Sequence, residues 1–231
     1  KISFSDDKTS FNRDGVQHIM NPYDEWYALV RALELKEANG GTVTVINVGD
    51  SSNDIIIRKG LALGADDAVR IDTVATSAYQ TAAQISAYAK DQAYDMIFVG
   101  KETIDYNGSQ VGGMLSEMMD LPYVSFVSDL KVEGSTSTVS RDIEGGIEIS
   151  EVTGPFVLSA AKGLAEQRIA NMKGIMMSKR KPLNVVAPVD VLNPVSIESY
   201  RLPEGKSGVK MIDPENMEEL VRLLHEEAKV I

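Results

Sequence analysis

The run Asp95–Gly100 (DMIFVG) is apolar at nearly every position and leads straight into a polar, glycine-bearing stretch, GKETIDYNGSQVGGML, over Gly100–Leu115. A strand that is apolar on both faces needs cover on both, which a parallel sheet between two helical layers supplies. The preceding segments fit such a sheet. Thr42–Gly49 (TVTVINVG) and Ala68–Ile71 are β-branched runs of strand length. Between the strands lie helical patterns. Asn21–Asn39 offers an Asn cap, Pro22 at the first helical position and acidic Asp24 and Glu25 in the first turn. Apolar Ala28, Leu29, Ala32, Leu33 and Leu35 follow at helical spacing, and Gly40–Gly41 stops the element. Ser51 or Ser52 caps a second helix that Gly64 closes, and an alanine-rich third covers Ser77–Gln92. This alternation predicts an α/β fold on a doubly wound, mostly parallel sheet with right-handed crossovers.

After a helix over Gln110–Met119 the rhythm changes. DLKVEG and STVSRDIEGG read as short, exposed strands of a small antiparallel extension, and Pro155–Ala161 returns as a buried strand. Pro182–Pro214 is proline-rich with little periodicity and reads as an extended C-terminal arm, followed by an amphipathic helix over Glu215–Lys229. The expected division is an α/β domain over residues 1–181 and an arm with its helix over 182–231. An arm of that length without a core of its own packs on a partner chain.

Composition excludes several functions. A formal net charge of −11, spread along the chain, leaves no continuous cationic face for nucleic acid or anionic lipid. No window approaches the roughly 20 apolar residues of a membrane-spanning helix. The chain has no cysteine, which removes disulfides, thiolate metal sites and cysteine nucleophiles. His18 and His225 have no serine in a nucleophile-elbow context, and the carboxylates show neither EF-hand nor paired-acid spacing. No catalytic constellation for a self-sufficient hydrolase is present.

The stretch Gly100–Leu115 leaves the C-terminal end of a buried strand and enters a helix, which is where open parallel sheets bind ligands. Its glycines, Gly100, Gly108, Gly112 and Gly113, permit close backbone approach; Lys101 adds positive charge. Pattern alone leaves two readings open, a phosphate cradle and an unliganded capping loop. Met20–Glu25 and the pair Gly49–Asp50 belong to the same expected edge, so three loops are candidates to converge on one nucleotide. Lys173, Lys179, Arg180 and Lys181, interleaved with Met172, Met176 and Met177, read either as a solvated helix face or as a docking anchor.

Five segments in order, DGVQHIMNPYDE, LALGADDAVRI, GKETIDYNGSQVGGML, SRDIEGG and EQRIANMKGIMMSKRKP, resemble the electron-transfer flavoprotein beta subunit family over nearly the whole chain. The resemblance implies a Rossmann-like, adenine-nucleotide-binding domain paired with an alpha subunit that carries FAD. It implies an electron carrier without substrate turnover of its own. Electrons would come from flavin dehydrogenases such as those of fatty acid oxidation and pass to a membrane quinone oxidoreductase. It also implies a structural AMP held by Asn21, Pro22, Tyr23, Asp24 and Val48. The main cradle would be Gly100, Lys101, Glu102, Thr103, Ile104, Asp105, Tyr106, Asn107, Gly108, Ser109, Gln110 and Val111. Tyr23 would also reach the FAD of the partner.

Met172 stands at the family's dehydrogenase-docking hydrophobe, usually leucine, and Asp142 at an acidic position tied to domain motion. The DYNGSQVG stretch departs from the DGDT-like form of bifurcating members, which hold a second FAD, and so favours AMP. A stand-alone adenine-nucleotide-binding domain is the reading outside the family. Bacterial members place the protein in the cytoplasm and eukaryotic ones in the mitochondrial matrix. Family members carry a hydrophobic strand and a V-x-D-type loop ahead of the KISF segment. Without them, an unpaired central sheet edge is expected, with lower stability and nucleotide affinity.

Overall fold

The computed structural model describes residues 2–205 and 208–231. They form two compact units, one of Arg13–Ile197 and the other of the terminal residues, up to Asn12 and from Glu198 onward.

The larger unit is α/β. Helices α1 (Asp24–Asn39), α2 (Asp54–Leu63), α3 (Ala78–Ala89) and α4 (Val111–Met119) alternate with strands β1 (Thr44–Val48), β2 (Asp67–Ile71) and β3 (Met96–Gly100). Then follow β4 (Tyr123–Glu133), β5 (Thr136–Ile143), β6 (Gly146–Thr153), β7 (Phe156–Ala160), α5 (Met172–Ser178) and β8 (Leu183–Val186). Strand alternation sends side chains to two covered faces. On one face, Val45 of β1 meets Ile57 and Leu61 of α2, and Phe98 of β3 meets Ala28 of α1. On the other, Ile46, Val48, Ile97 and Val99 pack with Ala82, Ile85 and Leu115 of α3 and α4. The doubly wound, mostly parallel architecture expected from the sequence is therefore present.

Hydrogen bonding divides the strands into two sheets. β1, β2 and β8 form a parallel sheet of three; the other has the order β3-β7-β4-β5-β6, parallel from β3 to β4 and antiparallel beyond. β1 and β3 sit under the same pair of helices, yet each bonds to a single neighbour among the described residues. Their burial records the consequence. β7 is buried at every position, whereas β1 and β3 are only half-buried throughout.

Several elements of the larger unit depart from the sequence reading or sharpen it. β4 is an 11-residue strand, not a short exposed one, and pairs with β7 through its first half and β5 through its second. Bulges after Val124 and Val127 break its period-two pattern, so that Val127 and Leu130, three apart, are both buried. α5 gives bounds to the helix face that was one reading of the basic run: Asn171 accepts the Gly174 N–H at 2.8 Å and caps it. The first residues of the expected arm, Leu183–Val186, form β8 against β2. Beyond them, Gln84 on α3 donates to the Val189 carbonyl at 2.7 Å and accepts its N–H at 2.9 Å. An amide that satisfies both backbone groups holds an irregular segment with no periodic signal in its sequence.

In the terminal unit, Phe4 bridges Phe11 and stacks on Tyr200 with ring centroids 5.3 Å apart. The Tyr200 N–H donates to the Lys8 carbonyl at 2.7 Å. The amphipathic helix expected over Glu215–Lys229 is a short α6 (Met217–Arg222) followed by a π-helical turn, Leu223–Glu227.

The glycines Gly112 and Gly113 of α4 give a paired test of packing. A Cβ on Gly112 would lie 2.8 Å from the Tyr123 hydroxyl and 2.9 Å from Val99 Cγ2, whereas one on Gly113 would make ordinary contact at 3.7 Å. Helix propensity favours alanine at either site by ~1 kcal/mol, but overpacking costs ~1–3 kcal/mol. In urea unfolding, Gly113→Ala is expected to stabilise by ~0.5–1 kcal/mol and Gly112→Ala to destabilise by ~1 kcal/mol.

Candidate functional site

Parallel strands that end side by side release their following loops on one edge. β3 ends with Gly100 opposite Ala160 of β7, and the Lys101 N–H donates to the Ala160 carbonyl at 3.1 Å. Lys101 and Lys162 thus leave the sheet on the same side. The start of α1 reaches that edge because Tyr27 and Ala28 pack in one cluster with Phe98, Phe156 and Leu158. Two hydrogen bonds tie the loops: Asn21 Nδ2 donates to the Glu102 carbonyl at 3.2 Å, and the Glu102 N–H donates to Asp24 Oδ2 at 3.3 Å.

Between them lies a cavity of about 380 Å³, walled by Asn21, Tyr23 and Asp24 on one side and Lys101, Glu102, Ile104 and Asn107 on the other. That volume is in the range of small-ligand sites. Tyr27 and Lys162 complete the wall. Neither was singled out in the sequence, although Tyr27 follows Tyr23 by one helical turn and Lys162 follows a buried strand on the edge where ligands bind.

The helix start is not the one the pattern predicts. α1 begins at Asp24, and Tyr23 occupies the cap position without a side-chain bond. Asn21 instead accepts the Tyr23 N–H at 3.0 Å through Oδ1 and spends its amide on Glu102. A residue expected to serve its own helix is used to join two loops.

The remaining candidate positions surround the cavity or lie away from it. Pro22 is half-buried beside Asn21, Asp105 and Gln110 are exposed, and Thr103 has a buried hydroxyl with no partner. Val48 and Val111 pack into the α3–α4 cluster. Gly49 and Asp50 do not line the cavity. Arg70, whose side chain is 6% exposed, donates to the Gly49 carbonyl at 2.9 Å and pairs with Asp54 at 2.8 Å and Asp72 at 2.5 Å. Asp50 pairs with Arg13 at 3.4 Å, so the loop after β1 is spent on internal contacts.

The cradle glycines are also used internally. Tyr123 lies against Gly112, Glu25 against Gly100, and the exposed Tyr106 ring against Gly108, where a Cβ would come within 2.8 Å of Tyr106 Cε2. Each of those glycines thus has a protein side chain close against it.

Residues 104–107, Ser109 and Gln110 are exposed, and the loop's backbone has an unusual course. Asn107 and Ser109 both have positive φ, 51° and 50°, and Gln110 returns to the right-handed region without capping α4 through its side chain. The Asn107 N–H is spent on the Thr103 carbonyl at 2.9 Å, whereas the left-handed and right-handed pair Ser109–Gln110 has the backbone sequence of an anion-binding concavity, and the uncapped helix start adds donors. Lys101 Nζ pairs with Glu102 Oε1 at 3.0 Å, and Ser109 Oγ donates to Glu102 Oε2 at 3.4 Å. The Lys101 hydrogen bond first, then that of Asn107, holds the Glu102 carboxyl below its ordinary range.

Burial acts the other way on α1: it raises the Asp24 and Glu25 carboxyls, and Glu25 Oε2 has no partner. The site combines donors for an anion with carboxylate acceptors for hydroxyl or amine groups.

Away from the cavity, Met172 opens α5 with 74% exposure, and Met176 and Ile169 are exposed nearby. Lys173, Lys179 and Arg180 accompany them, but Lys181 does not. Its ammonium donates to the Leu61 carbonyl at 3.0 Å and to that of Ala65, capping the end of α2. Asp142 is exposed on β5 opposite Ile147.

The family profile described as the electron transfer flavoprotein domain matches residues 8–191. The electron transfer flavoprotein subunit beta of Bacillus subtilis is 37% identical over 233 residues, covering 94% of this chain and 90% of that protein. The subunit beta of Mus musculus is 33% identical over 241 residues, covering all of this chain and 93% of its own. Protein FixA of Azotobacter vinelandii is 37% identical over 184 residues, 75% of this chain and 65% of that protein. No helix among the described residues is long and apolar enough to cross a membrane.

The unpaired carboxyl gives a pH-dependent test. A folded-state pKa above the ordinary value of 4.5 means that ionised Glu25 costs stability, and that the cost is absent below pH 4.5. Glu25→Gln is expected to raise the melting temperature at pH 7, the gain shrinking as the pH falls towards 4.5. Equal effects at both pH values contradict this.

Proposed function

The chain belongs to the electron transfer flavoprotein family, and from that premise we propose that it is a beta subunit that pairs with an FAD-carrying alpha subunit and holds AMP in its own cavity. The observation that carries the AMP reading is the meeting of Asn21–Asp24 with Lys101–Asn107 around one cavity at the strand ends. The residues fit the nucleotide part by part. The N–H concavity at Ser109–Gln110 and the start of α4 suit a phosphate. Lys101 and Lys162 supply charge, Tyr23, Tyr27 and Ile104 offer ring and apolar surface for a base, and Asp24 and Glu102 are acceptors for ribose hydroxyls. The buried Thr103 hydroxyl, lacking a partner, is consistent with a polar ligand in the loop.

In this reading AMP is structural: it joins two loops and gives the alpha subunit a fixed surface. FAD, when bound by the partner, supplies the electron chemistry. Tyr23, exposed at the cavity mouth, would close its edge, so the chain excludes water and orients the group without turning over a substrate. Electrons would arrive from dehydrogenases docking at Met172, where an exposed thioether beside Lys173 suits an apolar pocket with an acidic rim. They would leave towards a membrane quinone oxidoreductase, with the protein in the bacterial cytoplasm or mitochondrial matrix. The terminal residues 198–231 present exposed Val209 and Met211 and would wrap the alpha subunit.

Co-purification with the alpha subunit, followed by denaturation and chromatography of the released nucleotides, tests the cofactor reading. One AMP and one FAD per heterodimer is the expected result. Two FAD indicates the bifurcating type, and no adenine nucleotide beyond FAD rejects the AMP site. For docking, Met172→Ala is expected to slow reduction by an acyl-CoA dehydrogenase roughly tenfold, as removal of an interface anchor does. The flavin spectrum would not change.

A further inference from the structure

Phe126 has a backbone no bulky residue adopts freely: φ is +59°. The sheet accounts for it. In the β4–β7 ladder Val124 pairs with Leu158 and Val127 with Ala160, so Ser125 and Phe126 together oppose Ser159 alone. This is a bulge, and bulges re-aim a side chain at the cost of a ladder bond. Both bulged residues are held from outside the ladder. The Phe126 N–H donates at 2.9 Å to the hydroxyl of Ser159, which is fully buried, and Arg141 Nη1 donates at 2.9 Å to Ser125 Oγ while its guanidinium pairs with Glu148. The surroundings over-determine a strained conformation, which is the condition under which such strain marks function.

The conformation serves to turn the Phe126 ring out of the core. Although β4 lies between β7 and β5, Phe126 is 42% exposed, and the ammonium of Lys101 stands 5.9 Å from the centroid of its ring. An ammonium at that distance is attracted to the ring face. Lys101 is the first residue beyond β3 and lines the cavity; its other partner, Glu102, is a carboxylate that also lines it. Glu102 already holds the same ammonium at 3.0 Å and offsets its charge, so the ring is a second attraction, one that keeps the head at the cavity when a nucleotide phosphate competes with the carboxylate for it. The ring attracts the cation without neutralising it.

We propose that Phe126 is a positioning residue for the nucleotide site: the β4 bulge presents its ring as a seat that keeps the Lys101 ammonium at the cavity for the anionic part of the ligand. This rests on the nucleotide reading of the cavity, and it adds a specific residue on a different element, outside every segment that carries the family resemblance.

A double-mutant cycle read by calorimetric titration with AMP, on the complex with its alpha subunit stripped of nucleotide, tests it. Phe126→Leu removes the ring face but keeps an apolar side chain, and it is expected to weaken AMP binding roughly two- to fivefold. Phe126→Tyr keeps the face and should bind as the original does. In a Lys101→Met background Phe126→Leu should have no further effect. An equal loss in both backgrounds shows a merely structural role and overturns the proposal, as does full affinity in Phe126→Leu. Phe126→Gly, which relieves the positive φ, checks folding: it should match Phe126→Leu in affinity without lowering the melting temperature. If the unmodified complex binds no AMP, the nucleotide reading itself fails and the proposal with it. Binding weakened by Phe126→Leu but not by Phe126→Gly, which also lacks the ring, leaves the nucleotide reading standing and overturns the proposal.

Discussion

The parallel register that sets Gly100 beside Ala160 governs where this chain can do anything chemical. β7 is buried at every position, with its one hydroxyl, that of Ser159, taken up by the Phe126 N–H, and β3 is apolar throughout, so neither offers a free polar side chain within the sheet. Polar groups free to meet a ligand appear only where these strands stop. Because the strands are parallel and in step, Lys101 and Lys162 emerge on one edge, and the bulged part of β4 lies beside the same end of β7. α1, packed along both strands, delivers Asn21–Asp24 to that edge. The cavity therefore follows from strand register and one helix packing, more than from the glycines of its loop.

An open seam lies between the two sheets. β1 and β3 have their faces covered by the same helices, but each has one edge without a strand neighbour among the described residues, and unpaired backbone groups there cost stability. Glu25 lies near this region of strain, pressed against Gly100 with an unpartnered oxygen and a carboxyl raised by burial. Stability and site are coupled here, since the residue that costs folding energy lies beneath the loop that forms the cavity wall.

The elements legible in the sequence were those with an unbroken period. α1–α4, β1–β3 and β7 follow from apolar spacing, and Gly64 closes α2 as its position indicates. β4 was misjudged because two bulges interrupt its alternation, and β8 and the segment at Val189 because backbone pairing with β2 and Gln84 holds them, not side-chain pattern. At the site, Asn21, Asp24 and the Lys101–Asn107 loop were identifiable from motif and strand end. Tyr27, Lys162 and Phe126 were not, because their place depends on which strand lies next to which, and a crossover between distant segments leaves no local mark. Glycine signals close approach but not by what, so the sequence could not show that Glu25, Tyr106 and Tyr123 lie against Gly100, Gly108 and Gly112.

The central claim is that an adenine nucleotide occupies the edge shared by the α1 start and the loop after β3. Photolabelling of the heterodimer with an azido-substituted AMP, with adducts mapped by peptide mass spectrometry, tests it directly. The account predicts label on peptides spanning residues 21–27 or 101–109, lost when excess AMP is present. Label confined to the terminal unit or to α5, or label that AMP does not displace, would contradict it.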